Sequence, residues 1–202
     1  IHAATKLDKR VAQELINLGI EKAQFKTMIS STDAPKSWFV LNDKLVQASA
    51  HGYDHVEFFL SANAGESLKP LAKVASGGEI SRIMLSLKTA LAQSDKIPTM
   101  IFDEIDVGIS GRIAQAVGIA LSELSSSHQI ISITHLPQIA ALAHTHFSVQ
   151  KHTEGNHTTT TIRLLSVKER ETEIAKLLGG ATITDAAIKN ARDLMLQKNS
   201  LL

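Results

Sequence analysis

Apolar residues recur at helical spacing over residues 3–18, where Leu7, Val11, Leu15 and Leu18 form one stripe and Gly19 ends the run. Lys6, Asp8, Lys9, Arg10 and Glu14 supply the solvated face. Barely two heptads are present, which fits either the end of a coiled coil or an amphipathic surface helix. Residues 25–30 and 56–61 read as strands, separated by a polar, irregular stretch containing Pro35, Gly52 and Asp54. From Glu79, the positions Ile80, Ile83, Met84, Leu87 and Leu91 return to helical spacing. The run "PTMIFDE" (98–104) predicts a buried strand ending in two acids, and Ile113, Val117, Leu121 and Leu124 predict a second helix. A further apolar strand follows in "QIISITH" (129–135), and Pro137 suits the first turn of a short helix. Residues 146–151 and 158–165 predict a strand pair around "TEGNH", and helices over 168–178 and 184–198 close the chain, divided by Gly179-Gly180. Strand–helix–strand in the middle predicts a parallel α/β layer with antiparallel pieces towards both ends. No repeat or low-complexity tract interrupts the pattern.

With 202 residues, 44% of them hydrophobic, the chain can bury a substantial core. Its net charge of +1 demands neither nucleic acid nor an anionic membrane. The absence of cysteine excludes disulfides and thiolate metal sites and is compatible with a cytoplasmic setting. No apolar run reaches the ~20 residues of a membrane span. The first residue is Ile1 and a helix is already under way, so a piece of a longer protein is expected.

Three features can carry chemistry. In "KVASGGEISR" (73–82), two glycines and Ser76 stand at the mouth of a helix, where unpaired N–H groups and partial positive charge can hold a phosphate. The same residues also suit a simple Gly-Gly turn with Ser76 as N-cap. Asp103 and Glu104 end an apolar strand, where ligands of parallel sheets sit. An Asp there can hold Mg²⁺ on a nucleotide and the next carboxylate can polarise a water, although acids also end strands for solubility alone. His135 follows the next apolar strand, at the same sheet edge. Four histidines (His144, His146, His152, His157) lack the carboxylate or cysteine pattern of a metal site and read as scattered surface residues.

The order "ASGGE", "TMIFDEID" and "SITH" resembles the signature, Walker B and switch-histidine motifs of ABC-type ATPases. Glu79 after the glycines, with Arg82 following, resembles the SMC-like branch. Within that branch, "YDHVEFFLSANAGESLKPLAKVASGGEISRIMLSLK", "IFDEIDVGISG", "ITHLPQIAALAHTHFSVQK" and "EIAKLLGG" resemble bacterial DNA double-strand break repair members over nearly the whole chain. The resemblance implies an α/β fold, the C-terminal lobe of an ATPase head (20–202), preceded by the returning end of a coiled-coil helix (1–19).

It also implies roles. Ser76, Gly77, Gly78 and Glu79 would form the signature that meets the γ-phosphate of ATP on an opposing head. Asp103 would support Mg²⁺, Glu104 would be the catalytic carboxylate, and His135 would contact the γ-phosphate. Implied partners are the chain's own N-terminal head half, a second head in a homodimer, and DNA ends, with no membrane and a cytoplasmic, nucleoid-associated location. Two departures stand out. The loop after Walker B usually ends Ala-Leu-Asp, and here it reads Val107-Gly108-Ile109-Ser110, so the role of that Asp does not transfer to Ser110. No Gly-Lys pair occurs, so the G-x-x-x-x-G-K-[ST] phosphate loop is not in this sequence, and the chain alone is expected to be inactive. A non-catalytic interaction module keeping the same fold, and a transporter-type nucleotide domain, are the alternatives.

Overall fold

A computed structural model describes residues 2–73, 77–92, 94–155, 157–180 and 182–197. The chain forms two compact units, Ile1–Ser76 and Gly77–Leu202.

In the first unit, helix α1 (His2–Asn17) buries Val11 and Leu15 and lies against strand β1 (Gln24–Ser30). Gly19, at φ 80°, ends the helix, and the Ile20 N–H returns to the Leu15 carbonyl at 2.9 Å. Asp8 ties helix to strand: it accepts the Thr27 N–H at 2.7 Å and pairs with Lys26 at 3.2 Å. A small hairpin joins β2 (Val40–Leu41) to β3 (Lys44–Leu45). Strands β4 (His55–Ser61) and β5 (Lys69–Pro70) complete an antiparallel sheet of order β1-β4-β5. Residues 71–73 form one 3-10 turn.

The second unit opens with α2 (Gly77–Leu91), whose buried side chains include Ile83, Leu85, Leu87 and Ala90. Strand β6 (Thr99–Phe102) runs parallel to β7 (Gln129–Ser132), with Ile101 opposite Ile131, and α3 (Gly111–Leu124) connects them. Met100 and Phe102 are buried, whereas Ile101 (68% exposed), Ile131 and Ile133 line an uncovered face. Parallel sheets are normally covered on both faces, so this bare apolar strip is unusual.

Helix α4 (Pro137–Ala140) has Pro137 in its first turn, where the missing N–H costs nothing. It sits unusually close to α3, because a Cβ on Gly118 would stand 2.9 Å from Leu142 and 3.1 Å from the Gln138 carbonyl. That approach fixes the segment directly after β7. Strands β8 (Phe147–Glu154) and β9 (His157–Leu164) form an antiparallel hairpin. A capping box then starts α5 (Val167–Gly179), in which Ser166 and Glu169 exchange hydrogen bonds. Helix α6 (Asp185–Gln197) packs on α5, burying Ala187 and Ala191 with Ile174 and Ala175.

The expected parallel pair flanked by antiparallel strands is therefore present. Both central strands are shorter than their apolar runs suggest, since β6 stops at Phe102 and β7 at Ser132.

Candidate active site

The segment after β6 and the first turn of α2 are locked together. The Ser81 hydroxyl donates to the Asp103 carbonyl at 2.9 Å. Arg82, only 6% exposed, donates to the carbonyls of Val107 (2.9 Å) and Ile105 (3.4 Å). Burial lowers the Arg82 pKa, against the opposing charge of Glu79, which lies in the same helical turn. Gly78 is buried against the turn over 104–107, and a Cβ there would stand 2.9 Å from the Val107 carbonyl oxygen and 3.1 Å from that of Glu104. At Gly78, then, the chain's own backbone needs the missing side chain.

Gly77 faces the Glu104 carboxylate, which occupies the space a Cβ would take. An anion at this position is favoured by the unpaired N–H groups and dipole of the α2 N-terminus. Glu104 itself adopts φ 57°, the left-handed region that non-glycine residues seldom enter. Its N–H donates to Asp103 Oδ1 at 2.9 Å, while Asp103 and Glu104 are both exposed at the carboxyl end of β6. An exposed carboxylate with one oxygen already engaged suits a hydrated Mg²⁺, a hard cation that takes few protein ligands.

His135 lies one strand over, just beyond β7, with its side chain 73% exposed. It is held by Asp106, a residue that sequence reasoning passed over. Asp106 is 4% exposed, and its Oδ2 accepts the Thr134 hydroxyl at 2.7 Å and the His135 N–H at 2.8 Å. The same oxygen stands 3.0 Å from His135 Nδ1. Burial pushes the Asp106 pKa up, but the hydrogen bonds from Thr134 and His135 and the imidazole charge outweigh it, leaving the carboxyl below its ordinary value.

The structure thus brings Gly77 and Gly78 to the turn that follows Asp103, and links that turn through Asp106 to His135, while Glu79 stands in the first turn of α2. Ser76 lies outside the described residues. Ser110 occupies the N-cap position of α3, but its side chain makes no capping hydrogen bond. Among the described residues, no group of three or more His, Asp or Glu is placed to hold a metal by itself. No described helix is long and apolar enough to cross a membrane.

No family model matches the chain. Its fold resembles the Smc head domain with coiled coil and joint from Pyrococcus yayanosii, covering 88% of this chain and 29% of that one, with a TM-score of 0.56 at 20% identity. It also resembles the Smc head domain with an extended coiled coil from Pyrococcus furiosus, covering 86% of this chain and 38% of that one, with a TM-score of 0.52 at 19% identity. The fold is that of part of an Smc head domain. Sequence narrows the relationship. The chain is 42% identical over 193 residues to DNA repair protein RecN of Haemophilus influenzae, covering 96% of this chain and 32% of that protein. It is 38% identical over 200 residues to RecN of Bacillus subtilis, covering 98% of this chain and 35% of that protein. The chain is a homologue of the C-terminal part of RecN proteins, and it spans about a third of their length.

Proposed function

We propose that the chain forms the C-terminal half of an ATP-hydrolysing head acting in DNA double-strand break repair. In this reading, residues 1–19 are the returning end of a coiled-coil helix and residues 20–202 the C-terminal lobe. The observation that carries the reading is the contact of Gly77 with the Glu104 carboxylate, which joins the signature helix to the end of the Walker B strand.

Ser76, Gly77, Gly78 and Glu79 present the α2 N-terminus to the γ-phosphate of ATP bound by a second head. Glu104 orients a water in line with the terminal phosphorus and accepts its proton as the new P–O bond forms and the bond to ADP breaks. His135 contacts the γ-phosphate. Mg²⁺ held through Asp103 would neutralise phosphate charge. The phosphate loop comes from the N-terminal half of the same protein, so this chain alone neither binds ATP tightly nor hydrolyses it.

Two observations support a missing half. The apolar strip of Ile101, Ile131 and Ile133 lies bare on a parallel sheet, and the RecN relatives are about three times as long. DNA ends as the substrate, and a cytoplasmic, nucleoid-associated location, rest on the relatives being DNA repair proteins.

The test is Glu104→Gln in the protein reassembled with its N-terminal half. The amide keeps the shape but cannot take the proton, so turnover should fall by roughly 10²-fold or more, with ATP affinity kept and the head dimer longer-lived. Near-normal phosphate release would move the catalytic role away from Glu104.

A further inference from the structure

We propose that Asp106 is a positioning residue for His135, fixing the imidazole so that Nδ1 carries a proton bonded inward and Nε2 points out at the sheet edge. The inference rests on the reading of His135 as the phosphate-contacting group, but its geometry stands apart from any nucleotide.

Two donors converge on Asp106 Oδ2, the Thr134 hydroxyl at 2.7 Å and the His135 N–H at 2.8 Å, and His135 Nδ1 stands 3.0 Å from the same oxygen. A carboxylate accepts only, and a bare ring lone pair 3.0 Å from it would be repelled, so the hydrogen belongs on the nitrogen that faces Asp106. The tautomer of a neutral imidazole follows from the bond its other nitrogen makes. Nε2 then presents a lone pair in the neutral ring and an N–H in the protonated ring, while Nδ1–H stays on Asp106 in both states. The Asp–His pairing in hydrolase triads works the same way, holding the ring and supporting the imidazolium.

The supporting shell makes Asp106 a rigid anchor. Thr134 Oγ1 accepts the Leu136 N–H at 3.0 Å while donating to Asp106, so one buried oxygen organises the whole 134–136 turn. Pro137 and the close α3–α4 approach at Gly118 pin the turn from the other side. His135 is otherwise largely exposed, and an exposed imidazole without such a partner would rotate freely. Asp106 also follows Glu104 by two residues, so the segment that carries the proposed base also sets the histidine.

A purely structural role for Asp106 would hold the turn without fixing the ring. ¹⁵N-detected NMR of the His135 ring on this chain, without nucleotide and at a pH of about 8.5 where imidazoles are neutral, separates the two. The proposal expects the Nδ1–H tautomer in the wild type and a shift to Nε2–H in Asp106→Ala, which removes the oxygen that faces Nδ1. Thr134→Val, which removes the hydroxyl but keeps the carboxylate, should retain Nδ1–H. A wild type dominated by Nε2–H, or an Asp106→Ala variant that keeps Nδ1–H, overturns the proposal. Should Asp106→Ala not fold, the wild-type tautomer alone decides.

In the reassembled protein, Asp106→Ala should lower kcat roughly 10–100-fold with ATP affinity unchanged. Unchanged kcat with a switched tautomer would show that ring orientation has no part in the reaction. Failure of the ATPase reading itself looks different: Glu104→Gln would retain turnover while the wild-type tautomer stayed as proposed.

Discussion

Gly78 lies so close to Val107 that a Cβ added to it would stand 2.9 Å from the Val107 carbonyl oxygen and 3.0 Å from its side chain. Backbone cannot swing away as a side-chain tip can. Gly78→Ala should therefore push α2 from the turn over 104–107 and cost about 1–3 kcal/mol, the usual range for overpacking. Gly77→Ala meets only the mobile end of Glu104. It should leave stability within about 0.5 kcal/mol while displacing the carboxylate. Urea unfolding of the two variants checks this, and equal losses at both positions would contradict the assigned contacts.

Arg82 fastens the same turn from inside the helix. Its guanidinium reaches two carbonyls, Val107 and Ile105, from a site that burial makes costly for a charge. Arg82→Lys keeps the charge but shortens the reach and removes the fork, leaving at least one carbonyl unpaired around a strongly hydrated ammonium. A loss of about 1–3 kcal/mol is expected. Amide exchange at Val107, whose N–H bonds the Glu104 carbonyl at 3.1 Å, should also quicken. Unchanged protection at Val107 would mean that Arg82 does not hold the turn.

Much of this was legible from periodicity and from residues with one strong local meaning. Leu7, Val11 and Leu15 marked α1, Gly19 its end, and Pro137 the first turn of α4. The glycines before Glu79 announced a close approach, and the structure identifies Val107 and Glu104 as what approaches. The strand ends were overestimated because Asp103 and Glu104 continue an apolar run in sequence while Glu104 turns the backbone to φ 57°. The β2–β3 hairpin was missed inside a polar stretch, although Asn42 and Asp43, at φ 47° and 64°, are residues that tolerate a primed turn. Asp106 was invisible for a different reason. Its partners, Thr134 and His135, are nearly thirty residues away, and only the parallel register of Phe102 with Ser132 brings them together.

The left-handed backbone at Glu104 yields a prediction on stability against function. A Cβ in that conformation costs roughly 1–2 kcal/mol relative to glycine, partly offset by the greater freedom of glycine in the unfolded chain. Glu104→Gly should thus leave the chain as stable as the wild type, or up to about 1 kcal/mol more stable, although most substitutions destabilise. Its melting temperature on this chain, beside loss of turnover in the reassembled protein, would mark Glu104 as strained for a purpose. A clear drop in melting temperature would show that the carboxylate contact at Gly77 outweighs the strain.

Asp106 makes the acid limb of stability diagnostic. Its folded pKa lies below the ordinary carboxylate value of about 3.9, because bonds from Thr134 and His135 and the imidazole charge outweigh the effect of burial. As pH falls, the unfolded chain takes up this proton first. The contribution is therefore complete above about pH 5 and is lost as pH drops through the ordinary value towards the folded one. Other carboxylates act on the same limb: Asp95 is lowered chiefly by its bond to Lys88, and Glu169 is lowered to about 2, chiefly by the Ser166 hydroxyl. Those contributions are common to wild type and Asp106→Asn and cancel in the difference between them. The wild type should be the more stable of the two at pH 7, and its advantage should shrink steadily between about pH 5 and pH 3, since protonated Asp and Asn are near isosteres. Urea unfolding of both proteins at four or five pH values gives that difference directly. An advantage that stayed constant or grew on acidification would show that the charge on Asp106 is not what binds the 134–136 turn to the end of β6.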